Sequence, residues 1–428
     1  MSIYKIQENS KNFTLCLNMI VKNEGKIILE TLANLCSKID FDYWVICDTG
    51  STDNTKEIIQ TFFKEMNIKG ELYEDEWVDF GHNRTLSLER SFGKTDYLYI
   101  NDADDRIEGE IIFPENIFEF DSYFMKLNTD NIHYPRIQLI NNRKKFVYKG
   151  VLHEYIECLE ENKSTYLNGN YMIHSGKFGS RSECKDKYAN DAIILEKAYE
   201  KALLDKDELH KRYSFYCANS YFDANNHEKA ISWYKNTLSL ENWNQEKYIA
   251  CLKIFDSYEI LKIPEEGIYY LIESFNYDNK RVEGILKLIK YYTIKNQHEI
   301  AFSFYMLIQD YYENEYLLDL FNNNKLFISS YDYSFFLPYF MIIVCEKLKK
   351  YDIGLKMYTI LFTKKNIDID IFWLEYLIHN LHFFIDKNKD SIFISKWKKY
   401  LSLVENKYPD IVSTLKVKYS FLDNIFDI

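Results

Sequence analysis

Residues 97–105 read Tyr-Leu-Tyr-Ile-Asn-Asp-Ala-Asp-Asp, an unbroken apolar run that stops in carboxylates. Such a run, bounded so abruptly, predicts a buried strand of an α/β sheet whose C-terminal tip presents Asp102 and Asp104. Ligands in these sheets gather at the carboxyl ends of the strands. Two carboxylates at one tip can hold a divalent cation against a nucleotide diphosphate. An Asp-x-Asp pair alone is weak evidence, because acidic turns are common. The surrounding chain has to supply the context.

The first ~180 residues alternate strand and helix patterns, as expected for a parallel sheet covered by helices. Phe13–Val21 and Tyr43–Asp48 are apolar runs of strand length, with a helix-like segment near Gly25–Ser37 between them. After Asp48 come Ile58, Ile59, Phe62, Phe63 and Met66 at helical spacing, with Ser51 or Thr52 as the expected N-cap. Glu71–Tyr73 reads as a third strand and Asn83–Phe92 as a helix leading into the acidic strand. Residues 118–174 change character. Short strand patterns there are separated by turns at Asn128–Asn131, Asn141–Lys145 and Asn168–Asn170, which predicts an antiparallel extension on the acceptor side.

Past Lys185 the pattern is helical to Ile428. Three columns recur in it: Tyr221, Tyr258 and Tyr292; Ala230, Gly267 and Ala301; Tyr234, Leu271 and Tyr305. Their intervals are 37 and then 34 residues. A small residue where two helices cross, with an aromatic four positions later, resembles tetratricopeptide repeats, whose period is about 34. Gly354 and Tyr358 fit a further repeat after an insertion. The aromatic columns are expected to be core. The expected organisation is an α/β domain over residues 1–183 and an all-α, repeat-like domain over 184–428.

Bulk properties narrow the function. The net charge of −12 argues against a nucleic-acid binder and against docking on anionic lipid. No stretch approaches the roughly 20 apolar residues of a membrane helix. The N-terminal apolar run is followed by Lys22 rather than a small-residue cleavage site, so no signal peptide is expected. The eight cysteines show no Cys-x-x-Cys spacing, which fits reduced thiols in a cytoplasm-like compartment.

The strand tips of a parallel sheet share one edge. Lys22, Asn23 and Glu24 follow the first strand, Asp48 ends the second, Asn83 and Arg84 open the helix before the acidic strand, and Asp102 and Asp104 end that strand. The edge thus offers acceptors for a base and ribose, a guanidinium for phosphate, and oxygen ligands for a hard cation such as Mg²⁺ or Mn²⁺.

The blocks Asn18-Met19-Ile20-Val21-Lys22-Asn23-Glu24, Asp48-Thr49-Gly50-Ser51-Thr52-Asp53, Asp79-Phe80-Gly81-His82-Asn83-Arg84 and Asp102-Ala103-Asp104-Asp105 resemble family 2 glycosyltransferases of the GT-A fold. The subgroup fused to tetratricopeptide-like repeats is the nearest in pattern. The resemblance covers residues 13–180 well and the tail only in general character. It implies a nucleotide-sugar donor, often UDP-linked, with Mn²⁺ or Mg²⁺ bound through the Asp-x-Asp motif. Carried over by position, Asp48 contacts the nucleoside, Arg84 the diphosphate or base, Asp102 the ribose or metal, and Asp104 the metal. Many members have two adjacent acids where this chain has Asp48-Thr49. Gly150-Val151-Leu152-His153-Glu154 resembles the His-Glu block of the repeat-bearing subgroup, and Tyr171-Met172-Ile173-His174-Ser175-Gly176 its later His segment. They make Glu154 the candidate general base of an inverting transfer and His174 a candidate further metal ligand.

The expected function is therefore transfer of a sugar from a nucleotide diphosphate to a glycan or protein hydroxyl. The helical tail would dock the acceptor or form a homodimer. The competing expectations are a non-catalytic repeat scaffold with a degenerate nucleotide-binding domain, and a nucleotidyltransferase. The last lacks the Gly-rich basic loop it would need after Val21.

Overall fold

Strands β1 (Leu15–Val21), β2 (Tyr43–Asp48), β3 (Lys69–Glu74) and β4 (Tyr97–Ile100) form the parallel half of the central sheet, in the order β3-β2-β1-β4. The computed structural model describes residues 11–129, 132–176, 179, 186–314, 325–362, 370–385 and 391–419. Between those strands run helices α1 (Ile28–Lys38), α2 (Thr55–Glu65) and α3 (Phe80–Ser91). All four residues of β4 are buried, as its unbroken apolar run predicts. One core lies on each side of the sheet. Leu17, Met19, Ile46, Tyr97 and Tyr99 pack with α1 and α2, while Cys16, Val45, Cys47, Leu98 and Ile100 pack with Leu88 of α3.

Register fixes the edge. Val21 pairs with Asp48 and Asp48 with Glu74, so the tips of β1, β2 and β3 end level with one another. Helix α2 begins later than the sequence suggests, at Thr55 with Asn54 as its N-cap. The reason is local: the Asp48 carboxylate accepts the N–H groups of Gly50 (3.0 Å) and Ser51 (2.8 Å). Gly50 also has φ +102°, so the chain turns tightly there and Ser51 and Thr52 are spent on the turn.

Beyond β4 the sheet becomes mixed. Elements β5 (Arg106–Glu108), β6 (Ile111–Ile112), β7 (Ser122–Thr129), β8 (Ile132–Asn141), β9 (Phe146–Lys149), β10 (Tyr155–Cys158), β11 (Ser164–Tyr166), β12 (Asn168–Gly169) and β13 (Met172–His174) follow. The main sheet continues β4-β8-β7-β13-β5, with β8 antiparallel to both β4 and β7. Strands β9 and β10 form a separate hairpin. The expected extension is present but only partly antiparallel, since β11 and β13 run parallel to β7. Part of the expected turn at Asn128–Asn131 lies outside the described residues.

The described structure divides into two compact units, Met1–Glu246 and Lys247–Ile428. The boundary expected at 183/184 lies outside the described residues. Helices α4 (Lys187–Asp205), α5 (Leu209–Asp223) and α6 (His227–Ser239) belong to the same unit as the sheet. The chain continues through α7 (Asn244–Ile260), α8 (Ile268–Tyr277), α9 (Glu283–Ile294) and α10 (His298–Asn314), with later helices over Leu337–Leu348, Tyr351–Leu361, Ile371–Ile385, Ser391–Lys407 and Pro409–Lys418.

The helices come in hairpins, and their turns repeat. Asn225, Lys262 and Asn296 follow the first helix of successive hairpins with φ of 58°, 63° and 58°. They are spaced 37 and 34 residues apart, matching the three sequence columns. Each is the left-handed residue that ends a helix. Each lies five residues before the small residue of its hairpin, Ala230, Gly267 or Ala301. A Cβ on Gly267 would meet the Cα of Phe255 at 2.8 Å, which is why that column holds small residues. Lys349, φ 57°, stands in the same relation to Gly354.

Candidate active site

Two loops build the rim of the carboxyl edge, and they are knitted together. Asn23, at φ +56°, donates its N–H to Ser51 Oγ (2.8 Å), and its side-chain oxygen accepts from Thr52 N (2.8 Å). The Glu24 N–H donates to Thr55 Oγ1 (2.8 Å) and that of Gly25 to the Asp53 carboxylate (2.9 Å). Lys22 is exposed at the β1 tip. Asp48 is fully buried; its Oδ1 serves the Gly50–Ser51 turn, while its Oδ2 is buried without a hydrogen-bond partner. A buried acceptor left unsatisfied is costly and invites a donor. Asn83 is buried on α3 and spends both ends of its amide on one loop. It accepts from Val78 N (2.9 Å) and donates to Glu76 O (2.9 Å). The structure thus uses Asn23 and Asn83 to shape loops.

Arg84 joins two of the other expected residues. Its Nε donates to Glu154 (2.6 Å), its Nη2 to Asp102 Oδ1 (2.5 Å), and its guanidinium lies 5.5 Å from the ring centroid of Tyr148 on β9. A residue that sequence reasoning missed completes the cluster. Arg136, on β8, donates to Asp102 Oδ2 (2.8 Å), to Asp105 Oδ2 and to Gln138 (3.1 Å). Burial alone would raise the Asp102 pKa, but the two guanidiniums outweigh it and hold the carboxyl well below the usual range. Burial pushes Asp105 up despite Arg136, and its Oδ1 is buried without a partner.

Asp104 differs from its neighbour. Among the described residues it forms no ion pair, and burial followed by the charge of Asp102 raises its pKa. Asp102 and Asp104 are half-exposed while Asn101, Ala103 and Asp105 are buried, so the two outer carboxylates share a side. A Cβ on Gly179 would lie 3.4 Å from Asp104 Oδ2 and 3.5 Å from Glu24 Oε1, so the side chains of Asp104 and Glu24 converge there. Among the described residues no group of three or more acidic, His or Cys side chains is poised to hold a metal. One or two carboxylates suffice where substrate phosphate and water complete the shell, as is usual for Mg²⁺, and the oxygen donors here suit Mg²⁺ or Mn²⁺. His174, half-exposed at the end of β13, is engaged elsewhere: its Nε2 lies 2.9 Å from Glu108 and its Nδ1 3.5 Å from Asn128.

Glu154 is the last residue of the five-residue connection between β9 and β10. The loop approaches α3 so closely that a Cβ on Gly81 would meet Gly150 O at 2.3 Å. On its other side lie Arg212, Tyr213 and Tyr216 of α5, which the sequence did not single out. The seven described cysteines are unpaired, and among the described residues no helix is long and apolar enough to cross a membrane.

A mostly parallel sheet with a mixed flank, carrying acids and a guanidinium at its carboxyl edge and followed by helices, is a GT-A-like fold. Residues 16–181 match the family model described as glycosyl transferase family 2. The chain is 23% identical over 257 residues to the SPbeta prophage-derived glycosyltransferase SunS of Bacillus subtilis (strain 168), covering 56% of this chain and 57% of that protein. It therefore spans little more than half the length of the curated relatives it matches. Among solved structures, S. aureus TarS 1-349 in complex with UDP-GlcNAc overlaps 71% of this chain and 93% of its own at 15% identity and TM-score 0.30. The mannosyltransferase PcManGT from Pyrobaculum calidifontis, in complex with GDP-Man and Mn2+, overlaps 62% and 88% at 12% identity and TM-score 0.30. Scores that low carry no weight for this chain's ligands. The matched model is that of a glycosyltransferase family, and the relatives of this chain are named as glycosyltransferases.

Proposed function

We propose that this chain is a metal-dependent glycosyltransferase. It moves a sugar from a nucleotide diphosphate, UDP-linked, to a hydroxyl of a glycan or protein acceptor, with inversion. The observation that carries this reading is the charge balance at the β4 tip. Among the described residues, Asp102, Asp105 and Glu154 are ion-paired with Arg84 and Arg136, Arg106 lies within electrostatic reach of Asp104 and Asp105, and Asp104 has no ion-pair partner. A divalent cation would offset the excess negative charge, and a diphosphate would complete the ion's oxygen shell.

Each residue then has a task. The unpartnered Asp48 Oδ2 accepts a donor group of the nucleoside. Arg84 meets the diphosphate, and Lys22, Asn23 and Glu24 with Asn83 shape the rim around it. Asp102 and Asp104 would hold Mn²⁺ or Mg²⁺, with His174 as a further ligand if it leaves Glu108. When bound, the ion neutralises charge on the departing diphosphate. Glu154 takes the acceptor's proton as the acceptor oxygen bonds to the anomeric carbon. The bond from that carbon to the diphosphate breaks, and its electron pair leaves with the diphosphate. We assign the helical hairpins to a tetratricopeptide-like array that docks the acceptor or a second copy of the chain. The low cysteine pairing and acidic charge favour a cytoplasmic location.

Calorimetry with UDP and MnCl₂ tests the reading. Wild-type binding that needs the ion, and its loss in Asp104→Asn, supports it. One observation favours the rival scaffold: both oxygens of Asp102 are already taken by arginines. Absence of UDP binding with Mn²⁺ would favour that rival.

A further inference from the structure

We infer that helix α5 is part of the catalytic apparatus: Arg212, Tyr213 and Tyr216 are positioning residues that hold the loop 150–154 so that Glu154 meets Arg84. The inference rests on the assignment of Glu154 as the base.

The loop is held in a conformation it would not choose. Gly150 has φ +104°, which glycine tolerates, but His153 has φ +53°, a left-handed conformation that side-chain-bearing residues avoid. Strained residues of this kind persist only where their surroundings over-determine them. Here α5 does so with three contacts. Arg212 donates from Nε (3.0 Å) and Nη2 (2.8 Å) to the carbonyl oxygen of His153. Tyr216 stacks on the His153 imidazole, centroids 4.3 Å apart and planes 14° off parallel. Tyr213 accepts the N–H of Val151 at 3.3 Å.

The Arg212 fork is itself aimed. Its guanidinium lies 4.6 Å from the ring centroid of Tyr216 and 5.1 Å from that of Tyr155, so aromatic rings from α5 and β10 confine it. A planar guanidinium stacks and donates twice at once, which a lysine ammonium cannot do. On the opposite side, Phe80 at the start of α3 donates its N–H to Val151 O (3.3 Å). The loop is therefore gripped between α3, which carries Arg84, and α5.

The chemical consequence follows from the peptide plane. The His153 carbonyl and the Glu154 N–H belong to one planar unit. Fixing the carbonyl fixes the backbone from which the Glu154 side chain leaves. A general base must sit within hydrogen-bond reach of the proton it removes. A displacement of about 1 Å can cost on the order of 100-fold in rate. Helix α5 thus acts on the rate through Glu154.

The test uses the full chain and follows UDP release, with Mn²⁺, from the UDP-sugar it hydrolyses fastest. Arg212→Lys keeps the charge and loses the fork; Tyr213→Phe removes a single hydroxyl. The expected result is a roughly ten- to hundredfold fall in kcat for Arg212→Lys, a smaller fall for Tyr213→Phe, and donor KM within about twofold in both. Amide exchange should quicken over residues 151–155 and stay unchanged in α4 and α6. Combining Arg212→Lys with Glu154→Gln should add no loss beyond that of Glu154→Gln alone. An unchanged kcat in Arg212→Lys, or losses that multiply in the double variant, would overturn the positioning role while leaving Glu154 as base. A Glu154→Gln variant at the wild-type rate, or a wild-type chain that releases UDP from no UDP-sugar, would instead overturn the reading beneath it.

Discussion

Two buried arginine networks sit in the two units of this chain, and only one is left unbalanced. In the second unit Arg281 is almost fully buried and pairs bidentately with Glu283, at 2.7 and 3.2 Å. Its remaining donors reach the carbonyls of Leu326 (2.7 Å) and Phe327 (3.3 Å). Glu283 also accepts from Tyr333 (3.1 Å), and Tyr248 lies under the guanidinium at 4.4 Å. Arg281 and Glu283 form a matched pair there, and these partners all belong to the second unit. At the β4 tip, among the described residues, Asp104 has no ion-pair partner and an oxygen of Asp105 is unpartnered, and at the β2 tip so is an oxygen of Asp48. Burial of charge is common to both networks. What marks a site is the charge left over, because that remainder must be met by something outside the chain.

The largest effects should come from the unbalanced network and should spare the fold. Asp104→Asn removes an uncompensated charge, so Mn²⁺-dependent UDP release should fall by about a thousandfold. The melting temperature should hold or rise slightly. A parallel fall in melting temperature would place Asp104 with the structural acids and erase the contrast. Glu154→Gln should cost on the order of 10²- to 10⁴-fold in kcat while UDP affinity by calorimetry stays within a few-fold. If affinity collapses and turnover per bound donor holds, Glu154 belongs to the donor pocket and is not the base.

The balanced network should behave in the opposite way. Arg281→Met leaves Glu283 buried and unpaired, at a cost of about 3–5 kcal/mol in unfolding free energy. UDP release per folded molecule should be unchanged. Adding Glu283→Leu should recover most of the loss, since a matched pair replaced by apolar groups is often neutral. Urea melts monitored by circular dichroism would measure both. A double variant as unstable as the single one would mean that the pair contributes more than mutual compensation.

The comparison also explains what could be read from the sequence. The acidic strand tip was legible because strand, tip and acids are contiguous, and the edge was legible because parallel sheets align their tips. Arg136 was not. It lies on β8, 34 residues from Asp102, and only the antiparallel pairing of β8 with β4 brings it there. Its one local signal is a lone charge in the apolar stretch Pro135-Arg136-Ile137. The grip of Arg212 on His153 spans 59 residues and crosses the expected boundary between the sheet and the helices, so no local pattern could reveal it. Asn23 and Asn83 carried the right motif, but their amides are spent on backbone groups that appear only once the loops have closed. The helical columns were legible because the left-handed turn residue and the small residue keep a fixed five-residue interval in every hairpin.

The smallest effect is a pH dependence located beside the balanced network. Asp332 is pushed up to about 7, chiefly by burial, then by Glu283 and Asp256, with Lys287 and Ser329 pulling the other way. Its ordinary value is 3.8. Between roughly pH 4 and 7 the folded chain therefore keeps a proton that the unfolded chain has released. The stability this supplies is complete below pH 4 and is lost as pH rises through 7. Its size is roughly 4 kcal/mol at most. Lys287, paired with Asp256 at 2.6 Å, stays charged throughout that window, and Arg281 keeps Glu283 ionised, so Asp332 is the group that titrates there. Asp332→Asn keeps the shape and removes the proton equilibrium. Urea midpoints at pH 5 and pH 8 should differ more in the wild-type chain than in the variant, with the wild-type chain weaker at pH 8. Equal differences in the two proteins would mean that Asp332 stays ionised in the folded chain, and that the second unit also carries charge its own partners do not meet.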